Sequence, residues 1–137
     1  MRLLRLVAFA CLAILVTALP ARAAERGALF VNLTSDDAHR ARMALVFSQK
    51  QQERGHSITI FLNDRAVRVG DRTKRKFKEH QSYIAAILKK GGTVLICPMC
   101  MKHYRVGRAA LVDGLKVGSP ELTGAALFAA GTKTLTW

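Results

Sequence analysis

The chain has 137 residues, with 22 lysines and arginines against 9 aspartates and glutamates, so its formal net charge is +13 at neutral pH. This length fits one ordinary domain and leaves no room for a second. The positive charge should attract anions. However, the sequence has no recognition motif and no interleaving of aromatic and basic residues, which argues against a nucleic-acid partner.

The first 23 residues have the order of a secretory signal peptide. Arg2 and Arg5 precede the apolar run 6–19, and Ala21-Arg22-Ala23 matches a small-residue cleavage site. The apolar run is shorter than the roughly 20 residues that a spanning helix needs, so we expect no stable membrane insertion after cleavage. We expect cleavage after Ala23, a periplasmic location, and a single mature domain of residues 24–137. Because three basic residues leave with the signal, the mature net charge is +10.

The mature chain begins with the pattern of a strand, a helix and a second strand. Residues 28–33 are an apolar run of strand length that stops at the polar cluster 34–37, where Asp36 is the expected helix N-cap. An apolar stripe of helical period then runs from Ala38 to a stop at Gly55. Residues 57–62 are rich in β-branched side chains and predict a second strand, parallel to the first because a helix connects them.

The stretch 63–78 contains seven basic residues and two acidic ones, and we predict an exposed basic loop there. Apolar positions from Phe77 to Leu88 predict a helix that ends at Gly91-Gly92. Residues 93–96 predict a third strand. Further along the chain we expect helical segments at 101–105, 109–115 and 120–130, and a last strand at 132–137.

This alternation of strands and helices predicts an α/β domain, with a mostly parallel sheet of about five strands and helices on both faces. In such sheets, ligands bind beyond the carboxyl ends of the strands, where the loops converge. The loop after the first strand, the basic loop and Cys97 are all expected at that edge. We therefore expect Asn32, Arg65 and Arg68 to bind an anion, such as a sulfur oxyanion, or an acidic partner close to Cys97.

The segment Cys97-Pro98-Met99-Cys100 directly follows the third predicted strand. With Pro98 at the first helical position, Cys97 is the expected helix N-cap, where unpaired N–H groups and the helix dipole favour a thiolate. Cys100 follows one turn later, close enough to attack a disulfide or persulfide formed on Cys97. A reactive pair is favoured over a structural disulfide, because closing so short a loop stabilises a fold only slightly.

Two alternatives stay open. The spacing of Cys97, Cys100 and His103 suits a non-enzymatic module that binds a soft metal, copper or zinc. No second cluster completes a tetrahedral site, so we assign no metal, and no glycine pattern of a nucleotide-binding loop is present, so we expect no cofactor. The other alternative is an oligomeric interaction protein without catalysis, whose cysteines are incidental.

Five segments in this order and spacing resemble the DsrE/DsrF-like family over nearly the whole mature chain: NLTSDD at 32–37, ERGH at 53–56, ITIFLN at 58–63, GTVLIC at 92–97 and LVDGLKVG at 111–118. The resemblance implies a flavodoxin-like fold and homo-oligomers such as trimers or hexamers. In sulfur-relay members, a cysteine at the end of the third strand carries a persulfide, and Cys97 matches that position.

The resemblance thus implies that Cys97 is a sulfur carrier with a protein sulfur donor or acceptor as its partner. Cys100 has no counterpart in the relay members, so its role rests on chemistry alone. The relay members also act in the cytoplasm, whereas this chain is expected to be exported. Our hypothesis is a periplasmic protein that handles sulfur or thiol redox chemistry, in which Cys97 forms a persulfide or mixed disulfide and Cys100 resolves it.

Overall fold

The computed structural model describes residues 26–137. The predicted signal peptide, residues 1–23, lies outside the described residues. Among the helices that are described, none has both the length and the apolar composition to cross a membrane.

A five-stranded sheet, parallel throughout, forms the centre of the fold. Its strands stand in the spatial order β4-β3-β2-β1-β5. The parallel sheet of about five strands is therefore confirmed. The strands are β1 (Leu29–Leu33), β2 (Ile58–Leu62), β3 (Thr93–Ile96), β4 (Lys116–Val117) and β5 (Lys133–Thr136).

Helices cover both faces of this sheet, as predicted. They are α1 (Ala38–Glu53), α2 (Lys78–Lys89), α3 (Pro98–His103) and α4 (Pro120–Leu127). The chain advances in one direction from β1 to β4 and then returns to place β5 on the far side of β1. Because crossovers between parallel strands are right-handed, this reversal puts α4 on the face opposite α1 and α2.

The main core lies between α1, α2 and one face of the sheet. Alternate strand residues point to this face and are almost completely buried, and burying each such side chain contributes about 1.5–3 kcal/mol relative to leaving it in water. The strands contribute Val31, Leu33, Ile58, Ile60, Leu62, Val94 and Ile96, and the helices contribute Ala41, Ala44, Leu45, Ile84 and Ile87.

The other face of the sheet has a thinner cover. Phe30 and Phe61 lie on this face with their ring centroids 6.4 Å apart, next to α4. No residue of α4 is fully buried. Leu122 on this helix and Phe128 just after it are 47% and 84% exposed. Apolar side chains therefore remain in contact with solvent around α4.

The prediction of an exposed basic loop over 63–78 was correct for most of its basic side chains and wrong for its apolar residues. Short 3-10 turns form at Asp64–Arg68 and Arg75–Phe77, and Ala66, Val67 and Phe77 are buried in the main core. The basic side chains of this segment are largely exposed, while the apolar residues between them turn inward. The apolar residues of this segment therefore belong to the main hydrophobic core.

The helix predicted at 109–115 was also wrong. Only a 3-10 turn, Arg108–Ala110, forms there, and the chain continues into the two-residue strand β4. Leu95 and Ile96 of β3 pair with Lys116 and Val117 of β4, and the backbone of Gly118 then donates to the carbonyl of Ile96 at 2.9 Å. This pairing across the sheet, rather than local helix preference, decides the conformation of the segment.

Asp37, not Asp36, is the N-cap of α1. The Asp37 Oδ1 atom accepts a hydrogen bond from the backbone N–H of Arg40 at 2.9 Å, and the Asp37 N–H donates to Ser35 Oγ at 3.1 Å. The side chain of Asp36 is 13% exposed and forms ion pairs instead. Two adjacent aspartates thus have different roles, which their sequence position alone does not distinguish.

We predict that Asp37→Ala lowers the free energy of unfolding by about 0.5–2 kcal/mol, because one N–H group at the start of α1 loses its partner. Asp37→Asn should stay close to wild type, because asparagine caps helices about as well as aspartate. Urea denaturation of the three proteins measures both effects. An equal loss in both variants would show that charge, and not capping, is the contribution of Asp37.

Candidate functional site

The carboxyl ends of the three central strands are aligned. Leu33, Leu62 and Ile96 are register partners across β1, β2 and β3. The residues that follow continue the pattern, because the N–H of Asn63 donates to Leu33 O at 2.8 Å and that of Cys97 donates to Leu62 O at 3.0 Å. The expected meeting of three loops at one edge of the sheet is therefore confirmed.

Cys97 lies where β3 ends and α3 begins. Its backbone is extended, with φ −69° and ψ 117°, and Pro98 occupies the start of the helix. The Cys97 Sγ atom accepts a hydrogen bond from the backbone N–H of Cys100 at 3.4 Å. The predicted N-cap position of Cys97 is confirmed, and a backbone donor faces its sulfur, where it stabilises negative charge.

Cys100 has different surroundings, although both cysteines are free thiols and half-buried. Its Sγ lies 3.1 Å from Asn63 Oδ1, which accepts the hydrogen bond of the thiol. Partial burial raises the pKa of the Cys100 thiol above its ordinary value, and the neighbouring Cys97 side chain raises it further. The nearby backbone N–H of Asp64 acts in the opposite direction. On balance Cys100 favours the protonated form.

A cavity of about 190 Å³ borders Cys97 between the starts of α3 and α4. A neighbouring cavity of about 310 Å³ shares two lining residues with it, Phe61 and Thr123. None of the residues that line the first cavity carries a charged side chain: they are Phe61, Cys97, Pro98, Met99, Gly118, Ser119, Pro120 and Thr123. Cys97 therefore borders an uncharged, mainly apolar recess.

Asn32 lies in the neighbouring cavity, together with Phe30, Asn63 and Leu127. Its Oδ1 atom is buried and has no hydrogen-bond partner among residues 26–137. A third cavity, of about 290 Å³, is found at the amino ends of β1 and β5 and contains no cysteine. Of the three, the cavity beside Cys97 is the one that gives access to a thiol.

Arg65 and Arg68 lie together on the loop after β2, where they face Asp36. Arg68 Nη1 is 3.0 Å from Asp36 Oδ2, and Arg65 Nε is 3.7 Å from Asp36 Oδ1. The Arg68 guanidinium also stacks 4.5 Å from the centre of the Tyr104 ring. Neither arginine lines the cavities at Cys97 and Asn32. The structure thus joins the two arginines to Asp36 and places Asn32 in a separate recess.

Asn63, Asp64 and Tyr104 are site residues that our sequence argument missed. Tyr104 Oη donates to Asp64 Oδ1 at 2.5 Å. This hydrogen bond, together with burial, raises the pKa of Tyr104 above its ordinary value. A signal was present in the chain, since Asn63 and Asp64 directly follow β2. Tyr104 is also four residues after Cys100, a spacing that puts both on one side of a helix.

The metal alternative needed Cys97, Cys100 and His103 on one side of α3. The exposed ring of His103 instead packs edge-on against Tyr104, with centroids 4.6 Å apart. Within the part of the chain that the structure describes, no group of three or more His, Cys, Asp and Glu side chains is arranged to hold a metal ion. The three predicted ligands are therefore not brought together.

Comparison with known proteins identifies the family. The family model described as the DsrE/DsrF-like family matches residues 27–132, and the chain belongs to this family. No curated protein sequence matches the chain significantly. The resemblance seen in the sequence is thereby confirmed.

Three solved structures share the fold at low identity. The YchN protein of E. coli is 18% identical with a TM-score of 0.63, covering 82% of this chain and 99% of its own. The MTH1491 protein of unknown function from Methanobacterium thermoautotrophicum is 13% identical with a TM-score of 0.65, covering 81% and 99%. The BT1422 protein of unknown function from Bacteroides thetaiotaomicron is 22% identical with a TM-score of 0.62, covering 80% and 94%. These likenesses establish the fold.

We predict that Asp64→Asn lowers the pKa of Tyr104, because the charged acceptor of its hydroxyl is lost. Asparagine suits the left-handed backbone of position 64, where φ is 45°. The phenolate absorbance reports the titration, measured in a Tyr83→Phe background so that Tyr104 is the only tyrosine. An unchanged titration would contradict the contact between Tyr104 and Asp64.

The raised pKa of Tyr104 also fixes the sign of its effect on stability. The hydrogen bond from Tyr104 to Asp64 stabilises the folded state fully when the pH is below the ordinary tyrosine pKa of about 10. This stabilisation is lost as the pH rises through the higher pKa that Tyr104 has in the folded state. The unfolding free energy of the wild type should therefore fall more steeply over this alkaline range than that of Asp64→Asn, as denaturation at several pH values measures.

Proposed function

We propose, from its membership of the DsrE/DsrF-like family, that this protein handles sulfur or thiol redox chemistry through Cys97, with Cys100 as the resolving thiol. One observation carries the proposal. The Cys97 sulfur accepts a backbone N–H at the start of α3, borders an open recess, and has a second free thiol one helical turn away.

The first step is a sulfur transfer to Cys97. The thiolate of Cys97 attacks the outer sulfur of a donor persulfide, R–S–SH. One S–S bond breaks as another forms, so that Cys97 carries the –S–SH group and the donor leaves as the thiolate R–S⁻. With a disulfide donor, the same attack gives a mixed disulfide. The backbone N–H that faces Cys97 Sγ stabilises the charge of the attacking atom.

The lining of the recess bears on what can reach Cys97. Because the residues around the sulfur carry no charge, binding there rests on apolar contact and shape. Arg65 and Arg68 share the carboxylate of Asp36, which offsets part of their attraction for anions. We therefore propose that the donor enters through the recess as a small thiol persulfide or an exposed cysteine persulfide of a partner protein.

We further propose that this chemistry takes place in the periplasm, after removal of residues 1–23. The support is the order of the amino-terminal sequence, with Arg2 and Arg5 before an apolar run and a small-residue site that ends at Ala23. Self-association, which the family resemblance implied, stays a prediction.

We predict that the reduced wild-type protein gains a sulfur atom on Cys97 when it is treated with a persulfide or polysulfide donor, and that Cys97→Ser abolishes this gain. Serine accepts the same backbone N–H, so the fold should persist. Mass spectrometry of the intact protein and of its peptides measures the modification.

Cys100→Ser is the matched control, since it removes the neighbouring thiol and keeps Cys97. We expect this variant to accumulate the persulfide for longer than the wild type, because no thiol resolves it. The proposal fails if Cys97 of the wild type carries neither a persulfide nor a disulfide to Cys100, or if Cys97→Ser takes up as much sulfur as the wild type does.

The export proposal predicts a mature protein that begins at Ala24. Expression of the full chain, osmotic release of the periplasm and intact mass measurement check this expectation. Recovery of the uncleaved chain from the cytoplasm or from the membrane fraction would contradict it.

A further inference from the structure

The side chain of Asn63 is held in one orientation by the backbone around it. Its main chain is fixed at both groups, since the N–H donates to Leu33 O at 2.8 Å and the carbonyl accepts from the Ala66 N–H at 3.0 Å. The side-chain atom that faces the Asp64 N–H at 2.8 Å must be an acceptor, because a backbone N–H can only donate. The amide oxygen of Asn63 is thereby identified.

The same oxygen lies 3.1 Å from Cys100 Sγ. A carbonyl oxygen cannot donate, so only the protonated thiol of Cys100 can form this hydrogen bond. A thiolate at this place would face a lone pair. The other titratable groups around Cys100 are Cys97 and the Asp64 carboxylate, and negative charge on either also disfavours a second anion there.

Asn63 also competes with the Cys100 sulfur for a backbone donor that favours the thiolate. The backbone N–H of Asp64 is close enough to stabilise a charged Cys100 sulfur, but it donates to Asn63 Oδ1. The two sulfurs therefore have opposite partners: a donor, the Cys100 N–H, faces Cys97, and an acceptor faces Cys100.

We propose that Asn63 is a positioning residue that keeps Cys100 protonated, so that Cys97 attacks first and Cys100 acts only on the product. This inference rests on the proposed function. Its basis is the pair of contacts that one amide oxygen makes, to a backbone donor and to a thiol.

The attack of Cys100 on the Cys97 persulfide then balances in atoms and electrons, and it needs no separate base near Cys100. When Cys97 carries a persulfide anion, the Cys100 sulfur bonds to Cys97 Sγ, the bond to the outer sulfur breaks, and the thiol proton leaves with that sulfur as HS⁻. The two cysteine sulfurs are oxidised to a disulfide, and the outer sulfur is reduced to sulfide. A reduced dithiol then returns the pair to two thiols and is itself oxidised to a disulfide.

Two substitutions test the proposal by shifting Cys100 in opposite directions. Asn63→Ala removes the acceptor and frees the Asp64 N–H, so alkylation of Cys100 by iodoacetamide at neutral pH should become about two- to tenfold faster, the factor that one hydrogen bond supplies. Asn63→Asp keeps both contacts and adds a negative charge, so alkylation should become slower. Both are measured in a Cys97→Ser background, in which Cys100 is the only cysteine of the mature chain.

Asp37→Ala is the control, because it also removes a side-chain acceptor from a backbone N–H but contacts neither thiol; its alkylation rate should match that of the parent. A shift of both Asn63 variants in the same direction, or in neither, overturns the proposal. If Asn63→Ala does not fold, the result for Asn63→Asp decides the question. An alkylation rate of Cys100 that is unchanged or faster in Asn63→Asp refutes the proposed role of Asn63. No sulfur donor is present, so this result is separate from the persulfide test of Cys97.

Discussion

The parallel pairing of β1, β2 and β3 is the constraint on which the site depends. Leu33, Leu62 and Ile96 stand in register, and the backbone hydrogen bonds continue one residue beyond them into Asn63 and Cys97. An asparagine and a cysteine 34 positions apart in the sequence are thus placed at the same edge of the sheet. Since the strand residues before them are buried in the main core, displacing either loop would require breaking that core.

The asymmetry of the two thiols follows from where the helix begins. Cys97 is the N-cap of α3, so its sulfur accepts a hydrogen bond from the first turn, whereas Cys100 lies inside the helix and is the residue whose N–H donates that bond. A side chain at the Cys100 position therefore has no backbone donor from α3 and takes its partner from the loop after β2. Two identical side chains three residues apart acquire different chemistry in this way.

The sequence was sufficient for the layers of the fold and for the position of Cys97, because both depend on local signals: apolar strands, glycine stops and a proline after the cysteine. The failures have a common cause in long-range contacts. Because the segment 63–78 is rich in basic residues, its sequence did not predict that Ala66, Val67 and Phe77 are buried. Strand β4 has only two residues, too few to show an alternating pattern. Asp36 and Asp37 have equal capping ability, and only the arginines after β2 distinguish them. The sequence placed Asn63 at the end of a predicted strand, but it did not predict the contact of Asn63 with Cys100.

The net charge of the protein and the chemistry of its site are separate matters. Two guanidinium groups lie on the loop after β2, but they face Asp36, and Arg68 also stacks on Tyr104. The lining of the recess beside Cys97 is uncharged and includes Met99, which is 80% exposed. A net charge of +13 over the chain can raise the rate of encounter with acidic partners. In the function proposed above, selection of a sulfur donor at Cys97 therefore depends on contact with the apolar recess and on the different partners of the two thiols.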